Sequence, residues 1–405
     1  MGKRILFLTP QSPYPPQQGT AIRNYNLIRQ AAKQHEVHLL SFAGASSTEV
    51  DLSPLRELCT GLDMVAAPQR SNWQRLLTVL ASPKPDIAHR LYSALFTHKL
   101  ETVLITTKPD VVQVEGLEMA QYGLWARQFA GQTPLLIYDA HNAEYLLQQR
   151  IFETDARHPR RWLGALYSFI QWQKLRYYEA MVCRQAQRVI ACSSADAKAL
   201  ASLVPGLEAI ILPNGVDTQH YRPDVVTPLP LGPQVLVFTG KMDFRPNVDA
   251  VLWFCSEVLP LIQESAPATQ FYVVGKNPHP RLEPLRHMPG VTVTGFVEDV
   301  RSYIAAAAVY VVPLLTGGGT RLKVLEAMAM GKAIVSTTLG CEGIHAAPEQ
   351  EIVLADKPHD FAARVLNLLQ NEARRRELGY AARAFAEQHF DWRIVATSLE
   401  QAYAH

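Results

Sequence analysis

Three consecutive glycines, Gly317, Gly318 and Gly319, separate an apolar run from a strongly helical one in PLLTGGGTRLKVLEAMAMGKAIVST (313–337). Glycine loses more conformational freedom on folding than any other residue, so three together indicate a place where something approaches the backbone closely. The preceding AVYVVPL is typical of a buried strand, and TRLKVLEAMAMG is typical of a helix followed by Gly331. A strand, a glycine-rich loop and a helix N-terminus together predict a binding site for an anion such as phosphate.

The side chains after the glycines suit the same chemistry. Thr320 offers a hydroxyl, while Arg321 and Lys323 offer positive charge. Basic residues are unfavourable at a helix N-terminus unless an anion is bound there, so a plain strand–turn–helix with a solvated first turn is the weaker interpretation. Glu326 follows about two turns into the helix, within reach of a molecule bound past the loop.

A second candidate is His141 in YDAHNAEYL, directly after a predicted strand. Ligands of α/β proteins bind at the carboxyl ends of strands, so we predict a functional role for His141. Asp139 and Glu144 are weaker candidates, because a strand-end turn and a helix cap explain them equally well.

Several familiar catalytic motifs are absent. The sequence His35-Glu36-Val37-His38 is one residue short of a zinc-binding HExxH helix, and no P-loop, GxSxG elbow or GxGxxG fingerprint occurs. These absences disfavour the usual hydrolase triads, ATPases and NAD-dependent oxidoreductases. The aspartates show no DxD-type pair, so we predict no metal site.

The elements that must position these residues alternate between short apolar strands and helices, which predicts an α/β fold with parallel sheets. The predicted strands are 3–9, 36–42, 110–115, 134–140 and 187–193, then 234–240, 270–275, 291–296, 308–314 and 332–337. The predicted helices include 86–106, 117–129, 161–185 and 248–262, and 360–403 is predicted to be helical throughout. A Pro-rich stretch, 218–233, interrupts the alternation and predicts two domains.

Composition agrees with a globular chain of this kind. The protein has 405 residues, of which 48% are hydrophobic and 19% charged, with a net charge of +2, too balanced for bulk nucleic-acid binding. Five scattered cysteines form no CxxC pair, which favours free thiols in a reducing cytoplasm. The sequence contains no apolar run long enough to cross a bilayer.

The glycine segment resembles the signature of retaining, family-4 type glycosyltransferases (glycosyltransferase group 1). Further matching pieces agree in order and spacing: Gly19, LPNGVD (212–217), FTGKMDFRPNVDA (238–250), VVGKNP (273–278) and VTGFVED (293–299). GGGTRLK, PNVDA and LGCEGI (339–344) are most similar to a bacterial subgroup associated with exopolysaccharide and surface-glycan synthesis.

The resemblance implies the GT-B fold, in which two Rossmann-like, doubly wound domains face a cleft. Residues 1–220 then form the acceptor-side domain, 221–233 the linker and 234–385 the nucleotide-sugar-binding domain. Residues 386–405 form a helix that returns to the N-terminal domain.

The resemblance also implies roles for donor-binding residues. Glu326 corresponds to the glutamate that accepts hydrogen bonds from the donor ribose, while Gly318 stands where the family carries a glutamate that approaches the donor sugar. Lys241 stands where the family usually has a phosphate-binding arginine, and Arg245 is the nearest further cation.

Four other positions correspond to parts of the family's site. Phe296 and Val297 match the segment that flanks the nucleobase. Gly19 matches the glycine that lets the acceptor-side loop approach the phosphates, and His141 matches a histidine that faces the donor sugar.

The implied reaction is metal-independent transfer of a sugar from a UDP- or GDP-linked donor to a glycan or lipid-linked acceptor, with retention. The donor is a substrate, and no cofactor is implied. Two alternatives stay open. One is a nucleotide-sugar epimerase or hydrolase on the same fold, and the other is a degenerate nucleotide-sugar-binding subunit, which Gly318 motivates.

The segment 156–181, ARHPRRWLGALYSFIQWQKLRYYEAM, is rich in basic and aromatic residues. An ordinary packed helix pair with a solvated basic face is the stronger interpretation. The alternative is contact with an anionic membrane surface, which would place a cytoplasmic protein peripherally at the inner face of the cytoplasmic membrane.

Overall fold

The computed structural model describes residues 2–16, 19–43, 51–71, 73, 78, 81–130, 134–157, 162–316 and 321–404. The chain forms two compact units. Unit 1 comprises Met1–Pro213 with Val395–His405, and unit 2 comprises Asn214–Ile394. The predicted linker, 221–233, therefore lies within unit 2. Within the described ranges, no helix is both long and apolar enough to span a bilayer.

The described part of unit 1 contains a parallel sheet of seven strands in the order β3-β2-β1-β4-β5-β6-β7. The strands are β1 (Arg4–Thr9), β2 (Glu36–Ala43), β3 (Gly61–Ala66), β4 (Val111–Glu115), β5 (Leu135–Ala140), β6 (Arg188–Ala191) and β7 (Ile210–Ile211). The central strands β1, β4 and β5 are almost wholly buried because helices cover both faces of the sheet.

The helices of unit 1 lie between these strands. They are α1 (Gly19–Ala31), α2 (Ser53–Leu58), α3 (Asp86–Arg90), α4 (Ala94–Thr107), α5 (Ala120–Phe129), α6 (Glu144–Ala156), α7 (Trp162–Gln185) and α8 (Ser194–Leu203). A short 3-10 turn, Leu117–Met119, precedes α5.

Unit 2 repeats the architecture with a six-stranded parallel sheet among its described residues, in the order β10-β9-β8-β11-β12-β13. Its strands are β8 (Val235–Thr239), β9 (Gln270–Val274), β10 (Val291–Gly295), β11 (Val309–Val312), β12 (Ile334–Ser336) and β13 (Val353–Leu354).

The helices of unit 2 begin after β8. They are α9 (Arg245–Trp253), α10 (Leu259–Ser265), α11 (Arg301–Ala306), α12 (Leu322–Ala329), α13 (Pro358–Gln370), α14 (Glu372–His389) and α15 (Trp392–Tyr403). A π-helical turn, Phe254–Val258, joins α9 to α10. Most of α15 belongs to unit 1 by the division at Val395.

The predicted α/β fold of two Rossmann-like, doubly wound units is confirmed, and every predicted strand is present. The edge strands β3, β7 and β13 were not predicted. Two are only two residues long, and β3 fully buries only Val65, so none shows a buried apolar run.

Two helix predictions need correction. The predicted helix 86–106 is two helices, because Ser93 caps a new one by accepting the N–H of Phe96. The predicted continuous helix 360–403 is three, with one break at Asn371, whose side chain caps α14 by accepting the N–H of Arg374. The other break, at Asp391, forms a β-bridge with Val216.

Candidate functional site

The strand order locates one ligand-binding edge in each unit. In unit 1 the order reverses between β1 and β4, and in unit 2 it reverses between β8 and β11. Loops that follow the two central strands diverge at such a point and leave a crevice at the carboxyl edge of the sheet. Most predicted site residues lie after these four strands or after β5, whereas Phe296 and Val297 follow the edge strand β10.

In unit 2 the segment after β11 leads to α12, which carries Lys323 and Glu326. This helix is strongly amphipathic, and it buries Val324, Leu325 and Met328 against the sheet. It ends at Ala329, and Gly331 then has a φ of +63°, which glycine adopts without strain and which confirms its place after the helix. The triple glycine Gly317–Gly319 and Thr320 lie outside the described residues.

Lys323 is held in a pocket made by α9 and β8. Its Nζ donates to Asn247 Oδ1 (2.7 Å) and lies 4.0 Å from the centre of the Phe238 ring. A Cβ on Gly240 would come within 2.8 Å of the same Nζ, so a larger residue there would displace the amine. Burial lowers the pKa of Lys323 to about 7, and the positive charge of Arg321 acts in the same direction, opposed by Glu326.

Glu326 lies one turn further along α12, where its carboxylate is half-buried. The hydroxyl of Tyr221 donates to Oε1 of Glu326 (3.0 Å). Burial raises the pKa of Glu326, while the Tyr221 hydroxyl and the Lys323 ammonium group oppose the rise. The helix therefore presents a carboxylate acceptor and a buried amine side by side.

The two predicted cations after β8 have different surroundings. Asn247 Nδ2 donates to the backbone oxygen of Lys241 (2.9 Å), which joins this loop to the Lys323 pocket. The exposed Lys241 side chain lies 3.5 Å from Asp243. Arg245 begins α9, and its guanidinium lies 3.5 Å from Asp249 on the next turn. Lys241 and Lys323 thus share Asn247 as a hydrogen-bond partner.

Phe296 and Val297 follow β10, at the edge of the unit 2 sheet. Phe296 is 67% exposed, whereas Val297 packs against the core. Three strand spacings separate β10 from β11, a distance of roughly 14 Å. The predicted base-flanking segment and the predicted ribose-binding Glu326 thus lie on opposite sides of β8 and β9.

In unit 1, His141 follows β5 and pairs with a glutamate at the end of β4. His141 Nε2 lies 3.0 Å from Oε2 of the buried Glu115, which accepts its N–H. Burial lowers the pKa of His141, but the Glu115 hydrogen bond and the charge of Asp139 outweigh burial, so the pKa is raised overall. The imidazolium form is therefore favoured by two carboxylates.

A second buried ion pair, between Arg23 and Asp139, lies beside the pair of His141 and Glu115. Arg23 on α1 donates from Nε (3.0 Å) and from a terminal nitrogen (2.9 Å) to the two carboxylate oxygens of Asp139. Gln113 Nε2 donates to Glu115 Oε1 (2.7 Å). Together with the bond between His141 and Glu115, these bonds connect α1 with the carboxyl ends of β4 and β5, beside the point where the strand order reverses.

The group has the composition of a cation site. Glu115, Asp139 and His141 each place one possible ligand atom within 4.8 Å of the others. However, the Arg23 guanidinium already supplies the positive charge against both Asp139 oxygens. The geometry therefore favours a role in orienting His141 over metal binding.

The weaker candidate Glu144 is the first residue of α6. Its backbone N–H and that of Tyr145 donate to the Glu179 carboxylate (3.0 and 2.9 Å), which caps the helix. Burial raises the pKa of Glu144 to about 7, and the nearby negative charge of Glu118 contributes. Gly19 is the exposed first residue of α1.

Sequence reasoning missed four residues that shape these groups: Arg23, Glu115, Tyr221 and Asn247. Glu115 carried a usable signal, because it ends a predicted strand in the same way that Asp139 does. Tyr221 lay in the predicted linker and Arg23 inside a helix, so nothing local distinguished them. Asn247 carried a signal, because it stands in PNVDA, one of the segments of the resemblance.

Two family models match the chain. The model described as Glycosyltransferase Family 4 matches residues 18–220, and the model described as Glycosyl transferases group 1 matches residues 233–371. Together they include every strand of the two sheets except β1, and they leave out Tyr221.

Two curated relatives match about half of their own length. A 44.6 kDa protein in the cps region of Klebsiella pneumoniae is 22% identical over 172 residues, covering 40% of this chain and 44% of the relative. A phosphatidyl-myo-inositol mannosyltransferase of Mycolicibacterium smegmatis is 27% identical over 206 residues, covering 49% of this chain and 52% of the relative.

A solved structure is similar over nearly the whole chain. The crystal structure of Anabaena Alr3699/HepE in complex with UDP and glucose has a TM-score of 0.67 and 16% sequence identity, covering 99% of each chain. This similarity establishes the fold.

Proposed function

The chain belongs to glycosyltransferase family 4, and from that membership we propose that it transfers a sugar, with retention, from a nucleotide-diphosphate sugar to a glycan or lipid-linked acceptor. The observation that carries the proposal is the pairing of Lys323 and Glu326 on α12, at the edge where the strand order of unit 2 reverses. A cation and a carboxylate one turn apart suit a ligand that carries both a diphosphate and a ribose.

In this proposal each group has one task. Lys323 and Lys241 neutralise the charge that develops on the leaving diphosphate. Glu326 accepts hydrogen bonds from ribose hydroxyls, and Phe296 and Val297 flank the base. His141, whose pKa is raised by Glu115 and Asp139, donates an N–H to a hydroxyl of the donor sugar.

The reaction then needs no protein nucleophile. The bond between the anomeric carbon and the diphosphate oxygen breaks, and the acceptor oxygen bonds to the same face of that carbon. The leaving phosphate oxygen takes the acceptor proton. Arg321, Arg245, Gly19 and the loop Gly317–Thr320 complete the proposed phosphate contacts.

The proposed donor is a UDP- or GDP-linked sugar. The complex of the Anabaena protein with UDP supports the uridine nucleotide. The proposed biological setting is exopolysaccharide or cell-surface glycan synthesis in a bacterial cytoplasm. The support is the subgroup resemblance of GGGTRLK, PNVDA and LGCEGI, and the similarity to a protein of a cps region.

A panel of nucleotide sugars, scored by the shift in melting temperature, tests the donor site. A true donor raises the melting temperature, because ligand binding stabilises the folded state. Transfer is then followed as nucleotide release with and without a cell-envelope acceptor extract. Release without acceptor would support the epimerase or hydrolase alternative, and binding without transfer to any acceptor would support a degenerate binding subunit.

The Glu326→Ala variant tests the ribose role. We expect it to weaken nucleotide binding by about 1.5–3 kcal/mol, the scale of a hydrogen bond to a charged group. Calorimetry with UDP and GDP measures the loss, and Glu208→Ala, an exposed glutamate of unit 1, is the control. Unchanged affinity of Glu326→Ala for every nucleotide tested would contradict the role.

We also propose that the first turns of α7 touch an anionic membrane surface. Trp162, Leu163 and Leu166 are 62%, 65% and 50% exposed and lie on neighbouring positions of the helix surface. Arg157, before the helix, and Arg176, roughly 15 Å beyond Leu166 along it, are both exposed and add positive charge. Such an arrangement suits insertion of apolar side chains among acidic headgroups.

Vesicle sedimentation tests this contact. We expect the protein to bind vesicles with roughly one third phosphatidylglycerol more strongly than pure phosphatidylcholine, because each basic residue near an anionic surface adds about 1 kcal/mol. The double variant Leu163→Glu, Leu166→Glu should lose binding, whereas Tyr380→Glu, at an 80% exposed position in unit 2, should not. Equal binding by both variants would exclude α7 as the contact.

A further inference from the structure

Two tyrosines from other parts of unit 2 flank the Glu326 carboxylate. The Tyr221 hydroxyl donates to Oε1 (3.0 Å). Tyr310, on β11, is an electrostatic neighbour of Glu326, and its hydroxyl lies 2.6 Å from Thr239 Oγ1. Tyr310 is thus hydrogen-bonded to β8, and Tyr221 is the tyrosine that hydrogen-bonds the carboxylate.

Tyr221 is itself tied to the helix that carries Glu326. The guanidinium of Arg383, on α14, donates to the backbone oxygen of Tyr221 (3.1 Å) and to that of Ala329, the last residue of α12. The Tyr221 ring also packs against the core of unit 2. The Arg383 guanidinium therefore holds the Tyr221 backbone in place relative to α12. The Tyr221 hydroxyl donates to the Glu326 carboxylate from this fixed position.

We propose that Tyr221 is a positioning residue that holds the Glu326 carboxylate in the orientation that accepts hydrogen bonds from the ribose of the nucleotide. The inference rests on the proposed function of this site. A carboxylate has about four acceptor positions, so the Tyr221 bond leaves room for two ribose hydroxyls. Fixing a glutamate side chain in the free protein also lowers the conformational-entropy cost of binding.

The proposal predicts a pH signature because Tyr221 favours the ionised carboxylate. Burial raises the pKa of Glu326, and Tyr221 and Lys323 oppose that rise. The other charged or titratable groups nearby are Tyr310 beside Glu326, Arg321 beside Lys323, and Arg301 and Arg383 beside Tyr221. Without the hydroxyl, Glu326 takes up its proton at a higher pH, and nucleotide binding is lost at that higher pH.

The test is calorimetric titration of the full chain with UDP and GDP between pH 5 and pH 8.5, using Tyr221→Phe. This substitution removes only the hydroxyl and keeps the ring. We expect affinity at pH 8 to fall about three- to tenfold, and the pH at which half the affinity is lost to rise by about 0.5–1. The matched control is Tyr272→Phe on β9, whose ring packs against Tyr303.

The outcomes separate this inference from the donor-site proposal. Wild-type affinity and an unchanged pH midpoint in Tyr221→Phe, while Glu326→Ala loses binding, would overturn the positioning role alone. A lower melting temperature without a shifted midpoint would assign Tyr221 a structural role and would overturn it too. Intact binding in both variants would remove the ribose role of Glu326 itself.

Discussion

At the scale of single residues, the most informative side chain is Lys323, because it is a buried amine and the proposed function assigns it to the donor diphosphate. The hydrogen-bond partner of Lys323, Asn247, is neutral. Burial lowers the pKa of Lys323 to about 7. A lysine whose folded pKa lies below its unfolded value of 10.5 is less protonated in the folded protein between pH 7 and 10.5. The charge needed for a diphosphate is therefore incomplete in the free protein above pH 7.

We predict that nucleotide binding at pH 8 is accompanied by proton uptake. The diphosphate raises the pKa of Lys323, so the amine takes a proton from the buffer when the ligand binds. Calorimetry in two buffers with different ionisation enthalpies measures the uptake, which should approach one proton. In Lys323→Met the uptake should vanish and affinity should fall, while Lys357→Met, an exposed lysine, should behave as the wild type. Buffer-independent heats for the wild type would contradict the prediction.

At the scale of elements, the pairing of α6 with α7 depends on one carboxylate. Glu179 on α7 caps the N-terminus of α6 by accepting the N–H groups of Glu144 and Tyr145. Burial raises the pKa of Glu179 to about 8, although these two N–H groups favour the ionised form. A buried acid of this kind keeps its proton in the folded state and loses it in the unfolded state at the same pH.

The difference between the folded and unfolded pKa values of Glu179 predicts how stability changes with pH. Because the folded pKa of Glu179 is raised above the unfolded value of 4.5, the folded state binds more protons between pH 4.5 and 8. The contribution of Glu179 to the stability of the folded state is therefore complete below pH 4.5, and it is lost as the pH rises toward 8. Glu144, with a pKa raised to about 7, acts in the same direction.

Glu179→Gln should flatten this dependence. The amide keeps an acceptor oxygen for the helix cap but never ionises, so the variant should lose less stability than the wild type between pH 5 and pH 8. We expect a difference on the order of 2 kcal/mol. Thermal unfolding at several pH values measures it, and Glu208→Gln provides an exposed control. Parallel curves for Glu179→Gln and the wild type would show that Glu179 does not titrate in this range.

At the scale of the whole molecule, the last helix belongs to unit 1 although it follows unit 2 in the chain. Tyr403, near the end of α15, is buried, and its hydroxyl donates to Gln113 Oε1 (2.6 Å). Gln113 in turn donates to Glu115, the partner of His141. The end of the chain thus joins the hydrogen-bond chain that orients His141.

Tyr403→Ala should therefore destabilise unit 1. Loss of a buried aromatic side chain costs about 3–5 kcal/mol, and Gln113 would also lose its hydrogen-bond donor. Hydrogen exchange should rise in peptides that contain β4 and β5, with no matching rise in β8 and β11. Tyr380→Ala, at an exposed position on α14, is the control. Unchanged exchange in β4 would show that α15 does not stabilise this unit.

The sequence alone determined the elements and the kind of chemistry. Short apolar runs such as RILFLT and VLVFT report burial on both faces of a parallel sheet, and this local property needs no knowledge of partners. Gly331 marked the end of α12 for an equally local reason. His141 and Glu326 were predicted because they follow strands or lie in a segment whose residues resemble a known signature.

Only the tertiary structure decided which side chains meet. Arg23 and Asp139 are 116 residues apart, Tyr221 and Glu326 are 105 apart, and Tyr403 and Gln113 are 290 apart. Their pairing follows from the strand order, which sets β4 beside β1 and β11 beside β8. Hydrophobic periodicity reports whether a residue is buried. It carries no information about the partner, because that depends on how distant strands are ordered in the sheet.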